Sequence, residues 1–171
     1  LKLTAKHKVL KNILAHSDDF RVIQRLPPDP LLRAFALAKK PESLREAWRL
    51  SNNQARRIEA LLQGTVLTPK LRENEQQKLL YAVGPEAWRD SVYLAWAKSR
   101  APLTDRAWER MLKLPARWVV PSLPVAGRDL LALGFPSGPD LGRELKRLED
   151  YWIASDFTST KEELLQSMRG N

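Results

Sequence analysis

Four of the chain's seven glycines lie in one stretch near its C-terminal end, Gly127-Arg128-Asp129-Leu130-Leu131-Ala132-Leu133-Gly134-Phe135-Pro136-Ser137-Gly138-Pro139-Asp140-Leu141-Gly142-Arg143-Glu144-Leu145. The pattern predicts a short helix from Arg128 to Leu133. Gly134 can adopt the left-handed conformation that ends many helices, and Phe135 can then fold back onto the last turn. Pro136 prevents the helix from continuing.

A second helix is predicted directly after this turn. Gly138 can serve as its N-cap, and Pro139 suits the first helical position because no backbone N–H donor is needed there. Gly142 keeps the first turn slim, and Arg143 lies beside it. With the free N–H groups of a helix start, these residues predict a seat for a phosphate.

Further motifs accompany this turn. They are Gly84-Pro85-Glu86-Ala87-Trp88-Arg89-Asp90, Leu94-Ala95-Trp96-Ala97, Leu112-Lys113-Leu114-Pro115-Ala116-Arg117-Trp118, Leu148-Glu149-Asp150-Tyr151-Trp152-Ile153 and Asp156-Phe157. Together they resemble the C-terminal part of the bacterial class II tRNA nucleotidyltransferases, which include the CCA-adding enzymes and the related poly(A) polymerases. One difference is that the family turn usually reads Pro-Gly-Pro, whereas here Ser137 precedes Gly138.

Composition bounds the class of protein. Of 171 residues, 43% are hydrophobic, which is enough for a core, and the formal net charge of +9 favours a polyanionic partner. The chain has no cysteine, which excludes disulfides and thiolate metal sites and fits a reducing compartment, so we expect a cytoplasmic location. No uncharged apolar run approaches the length of a membrane span, and we expect no membrane partner.

The periodic segments are all helical, so we predict an all-α fold: a multi-helical body of stacked helix pairs followed by a small helical tail. Helix starts are predicted at Thr4, at Asp29 with Pro30, at Pro41, at Thr68 with Pro69, at Thr104, and at Thr160, where Glu163 completes a capping box. The body is predicted over residues 1–117, a proline-flanked linker over 118–125 and the tail over 126–171. Tryptophans at positions such as Trp48 are expected to face the core, with Trp118 in the linker as the exception.

The chain contains no set of residues that could catalyse nucleotide transfer. Such chemistry needs paired carboxylates for Mg²⁺ and a Gly-Ser turn for the triphosphate, and neither pattern is present. His7 and His16 suit neither a zinc pair nor a triad. The resemblance implies that Mg²⁺ and ATP or CTP belong to a catalytic head, N-terminal to the part that matches. We therefore predict no catalytic residue, metal ligand or cofactor in this chain. We take the chain for a piece of a longer protein, and we expect it to contact the catalytic head of that protein.

Basic residues are the remaining signal. Lys70 and Arg72 are predicted at a helix start, where positive charge opposes the helix dipole and so suggests a ligand. Arg56 and Arg57 extend the basic set. The candidate RNA-binding residues are Lys70, Arg72, Arg106, Arg110, Lys113, Arg117, Arg128, Gly138, Gly142, Arg143, Lys146 and Arg147.

We interpret the chain as the body-and-tail portion of a CCA-adding enzyme or poly(A) polymerase. It would hold RNA, with tRNA as the leading candidate, while the missing head adds nucleotides to the 3′ end. The resemblance implies that the body follows the acceptor and T stems and that the tail touches the T-loop end. Two alternatives stay open: a stand-alone, non-enzymatic nucleic-acid-binding module, and a helical scaffold that binds another protein.

Overall fold

The computed structural model describes residues 20–38, 40–64, 67–99 and 101–168, and these residues form an all-α protein, as predicted. The helix predicted after Thr4 lies outside them. The α-helices of the described residues are α1 Phe20–Arg25, α2 Pro30–Leu37, α3 Leu44–Trp48, α4 Asn52–Leu62, α5 Glu73–Lys98, α6 Arg106–Arg117, α7 Gly127–Ala132, α8 Pro139–Ala154 and α9 Lys161–Ser167. A 3₁₀ turn, Pro41–Ser43, leads into α3.

Two compact units divide between Trp118 and Val119. The first unit contains two groups of buried side chains. One joins α2, α3 and α4 to the second half of α5 through residues such as Leu32, Leu44, Ile58 and Leu94. The other joins α5 to α6.

Helix α2 begins as predicted. The Asp29 side chain accepts a hydrogen bond from the Leu32 N–H at 2.9 Å, and Pro30 occupies the first turn. This arrangement satisfies one of the N–H groups that a helix start leaves without a partner.

The long helix α5 bends at Gly84, whose φ of 78° lies in the left-handed region, and Pro85 follows it. Gly84 and Pro85 therefore divide α5 into two helical halves. The predicted start at Thr68 is wrong, because α5 begins at Glu73. Leu67 is buried in the core that α5 shares with α6, and the Leu71 carbonyl accepts from the Gln76 side chain at 2.8 Å, so a tertiary contact and a local bond together hold the preceding segment as a turn.

Helix α6 begins one residue later than the predicted start at Thr104. Asp105 is its N-cap, accepting from the N–H groups of Ala107 and Trp108 at 2.8 and 3.3 Å. Pro115 does not break the helix, which continues to Arg117. Pro115 cannot bond the carbonyl of Met111, but that oxygen accepts from the Trp88 indole N–H at 2.9 Å instead.

The second unit contains α7, α8 and α9. Gly134 has a φ of 85°, and the Phe135 N–H bonds the Leu130 carbonyl at 3.0 Å, as expected for a chain that folds back after a helix. Gly138 is the N-cap of α8 and Pro139 its first residue, and Thr160 caps α9 through a capping box. The buried residues of this unit include Leu130, Leu148, Trp152 and Leu164.

Candidate nucleic-acid interface

Helix α6 separates apolar and basic side chains onto opposite faces. Trp108, Met111 and Leu114 are buried in the core that α6 shares with α5. Arg106, Arg110 and Lys113 are exposed, and their spacing of four and three residues places them in one row along the helix. Within the part of the chain that the structure describes, none of the three forms an ion pair. We call these three residues the α6 stripe.

At its C-terminal end the α6 stripe meets the start of α5. Arg117 lies 2.9 Å from Glu73, and both side chains are largely exposed. Arg72, next to Glu73, is the N-cap of α5 and pairs with Glu75 at 3.1 Å. The structure therefore brings two candidates that are distant in sequence, Arg72 and Arg117, to one surface.

The helix-dipole argument for Lys70 and Arg72 has to be corrected. Lys70 lies in a turn before α5 and Arg72 only caps it, while Glu73 and Glu75 occupy the first turn, where negative charge is favourable. Their candidacy now depends on their exposure and, for Arg72, on its place next to Glu73, which contacts Arg117. Glu73, which neutralises Arg117, is an element of this surface that sequence reasoning missed.

The tail cations are placed differently from the α6 stripe. On α8, Arg143 pairs with Asp140, Lys146 lies 2.8 Å from Glu149 and 3.1 Å from Asp150, and Arg147 lies 2.6 Å from Glu144. The bonds to Glu149 and Asp150 raise the pKa of Lys146, and the bond to Glu144 raises the pKa of Arg147. A phosphate at this helix would have to compete with carboxylates already in contact with its cations.

The start of α8 is open at both glycines. A methyl group at Gly138 or at Gly142 would meet nothing within 4 Å, so neither glycine is required by packing against another element. Gly138 does need its φ of 125°. Asp140 in the first turn already places a negative charge at this helix end. The phosphate seat at Gly138 and Gly142 stays a prediction, as does a contact from the exposed Arg128 on α7.

Arg57 is partly buried in the first unit, where carboxylates hold its guanidinium. It bonds both carboxylate oxygens of Asp90, with Nη2 2.8 Å from Oδ1, and its Nη1 lies 2.7 Å from Asp29. The bond to Asp90 raises the pKa of Arg57. Burial by itself would raise the pKa of Asp29, but hydrogen bonds from the Leu32 N–H and from Arg57 outweigh it and lower that pKa.

The described residues contain no group of three or more His, Cys, Asp or Glu side chains that could hold a metal ion. Glu149 and Asp150 both contact Lys146 and do not form a carboxylate pair of the kind that nucleotide transfer requires. No helix in the described part of the chain has the length and apolar character to cross a bilayer.

Comparison with known proteins supplies the family. The family model of tRNA nucleotidyltransferase domain 2 matches residues 31–168. A segment of 52 residues is 42% identical to CCA tRNA nucleotidyltransferase 1, mitochondrial, of Danio rerio, and it covers 30% of this chain and 12% of that protein. Segments of 59 residues are 36% and 34% identical to the proteins of the same name from Mus musculus and Homo sapiens, and each covers 34% of this chain and 14% of the relative.

The chain therefore aligns with a small part of these relatives. The family match, in contrast, includes most of both compact units described above and well over half of the chain. This chain belongs to the tRNA nucleotidyltransferase family.

Proposed function

We propose that this chain is the RNA-holding part of a tRNA nucleotidyltransferase. It would bind tRNA and position its 3′ end for nucleotide addition by a catalytic head that is not among these residues. The observation that carries the proposal is the α6 stripe, since exposed cations without carboxylate partners are available to phosphates. The family membership supplies the class of RNA.

The geometry of the α6 stripe suits a backbone more than a base. From Arg106 to Lys113 the helix rises about 10 Å, so the three cations form a row that can face more than one phosphate of a strand. The position of α6 is fixed because Trp108, Met111 and Leu114 on its buried face pack against α5. A row of cations on a rigid helix can follow the phosphates of an A-form stem, whose sequence is difficult to read from its grooves.

The decisive experiment compares two triple variants with the same change in net charge. The first is Arg106→Gln, Arg110→Gln and Lys113→Gln on α6. The second is Arg143→Gln, Lys146→Gln and Arg147→Gln on α8, where each cation is already paired. We expect the α6 variant to weaken tRNA binding at least about 10-fold. The slope of log affinity against log salt concentration should become shallower by about two to three, because fewer phosphate contacts release fewer counterions on binding. The α8 variant should lose no more than about 3-fold.

Equal losses in the two variants would contradict the proposal, because binding would then depend on total charge and not on the α6 stripe. A larger loss in the α8 variant would instead support the predicted tail contacts through Arg143, Lys146 and Arg147. Thermal melting of each variant, followed by circular dichroism, separates lost binding from lost folding.

For the whole protein we propose addition of CCA in preference to poly(A). The three relatives that bear the name of CCA-adding enzymes support this choice. Mg²⁺ and the nucleotide would be bound by the head. The cytoplasmic location also remains a proposal, supported by the absence of cysteine.

A further inference from the structure

Trp48 is more exposed than the other tryptophans of the described residues. Its relative exposure is 37%, whereas Trp88, Trp96, Trp108 and Trp152 are buried and Trp118 is half-buried. It belongs to neither group of core residues in the first unit. The expectation that Trp48 faces the core is therefore wrong, since the short helix α3 buries only Leu44. A large indole is left in contact with solvent.

The next residue has an unusual backbone. Arg49 ends α3 with φ 48° and ψ 52°, in the left-handed region that glycine or asparagine usually occupies at this position. Arg49 is exposed, and it forms no ion pair with any described residue. A left-handed backbone conformation is unusual for an arginine, and such a conformation is grounds for a functional hypothesis.

A second arginine lies on the same face as the indole. Arg45 and Trp48 are three residues apart on α3 and so are neighbours on its surface, whereas Glu46 and Trp48 do not face each other. Arg45 is tethered at 2.9 Å to Glu59 of α4. The following helix, α4, has no acidic side chain in its first turn. Because Glu59 already holds Arg45, Arg49 is the arginine beside Trp48 that forms no ion pair with a described residue and that a phosphate could reach.

We propose that Trp48, with Arg49, is a stacking site for an unpaired nucleotide of a single-stranded RNA segment. An indole face takes any base, and a guanidinium beside it can stack or bind the adjoining phosphate. This inference rests on the proposed binding of RNA but concerns a different surface and a different form of the ligand. The α6 stripe would hold a duplex, and Trp48 would hold a strand that leaves it.

The test uses two synthetic RNAs, a blunt duplex and the same duplex with a 3′ single-stranded extension. In the unchanged protein the extension should tighten binding, and Trp48→Leu should abolish that gain, a loss of about 5-fold to 100-fold for one base stack. Trp48→Phe should recover most of it, and binding of the blunt duplex should not change. Leu62→Ala, which trims another exposed apolar side chain of the same unit, is the matched control and should alter neither affinity.

A second variant, Arg49→Gly, keeps the left-handed turn and removes the cation. It should weaken binding of the extended RNA about 3-fold without lowering the melting temperature. The stacking site is refuted if the extension adds no affinity, or if Trp48→Leu or Arg49→Gly leaves the gain intact. In those cases the α6 variant can still weaken duplex binding, and the proposed function would stand. Conversely, a Trp48-dependent gain with no effect of the α6 variant would keep the stacking site and overturn the duplex interface.

Discussion

The same side chain can have opposite roles depending on its burial, and two arginines of the first unit illustrate this. Arg57 is 21% exposed and bonds Asp90, which is 6% exposed, as well as Asp29. Arg45 and Glu59 form an ion pair in which both side chains are more than half exposed. Water screens the second pair more strongly than the first, so their contributions to stability should differ.

We predict that Arg57→Ala lowers the free energy of unfolding by about 3–5 kcal/mol, because it leaves the buried Asp90 without its cation. Arg45→Ala, the matched control, should cost about 1 kcal/mol or less. Urea denaturation of both variants at neutral pH measures the difference. If the two losses agree to within about 1 kcal/mol, the Asp29–Arg57–Asp90 contacts contribute no more than a surface pair does.

The pH dependence of this effect has a definite sign. The pKa of Asp29 in the folded protein lies below its ordinary value of 3.8. A carboxylate with a depressed pKa contributes stability above the unfolded value and loses it as pH falls through the folded one. The difference between the unchanged protein and Arg57→Ala should therefore be greatest above about pH 4 and should shrink in more acidic solution.

At the scale of single helices, the ends predicted correctly are those fixed by neighbouring residues. Asp29 with Pro30, Gly138 with Pro139, and Thr160 with Glu163 each satisfy backbone groups within one turn. The start of α5 is also capped locally, since Glu75 accepts from the Arg72 N–H at 2.7 Å, but arginine is not a usual cap residue and the local pattern did not predict it. The length of α6 depends instead on a partner from another element. Buried Leu67 and the bond from the Trp88 indole N–H to the Met111 carbonyl are tertiary contacts that no local pattern reveals.

In the candidate interface, too, some features could be predicted from local sequence and others required the structure. The row formed by Arg106, Arg110 and Lys113 could be read from helical spacing, because the buried residues of α6 repeat with the same period. The pairing of Arg117 with Glu73 required the structure, since the partners lie on different helices. The pairs on α8 did not require it: Asp140 with Arg143 and Glu144 with Arg147 stand three residues apart, a spacing that predicts contact.

A substitution at Gly142 tests whether the first turn of α8 binds a phosphate. We predict that Gly142→Ala stabilises the protein by about 0.5–1 kcal/mol, because glycine costs this much inside a helix and the new methyl group would meet nothing within 4 Å. Gly134→Ala is the control and should destabilise, since Gly134 has a φ of 85°. Thermal melting distinguishes them. If Gly142→Ala also weakens tRNA binding, the phosphate seat gains support, whereas unchanged binding in a more stable protein removes it.

At the scale of the whole chain, each of the two units has buried residues of its own. Trp118 packs against the core shared by α5 and α6, and Val125 is buried, whereas Val119 between them is 89% exposed. The segment from 119 to 124 forms no helix and contributes no residue to the described core. The predicted linker over 118–125 has yet to be tested by cleavage.

Limited proteolysis of the native chain tests this boundary. Elastase, whose small pocket accepts small aliphatic side chains, should cut after Val119 before it cuts anywhere else within residues 101–168, because an extended exposed segment fits a protease cleft and a packed helix does not. Intact-mass analysis over time identifies the cut. Val119→Asp should slow that cleavage without changing the melting temperature, since the side chain is solvated. Earlier cleavage inside α6 or α8 would show that those helices open more readily than the segment between the units, and the boundary at Trp118 and Val119 would have to be abandoned.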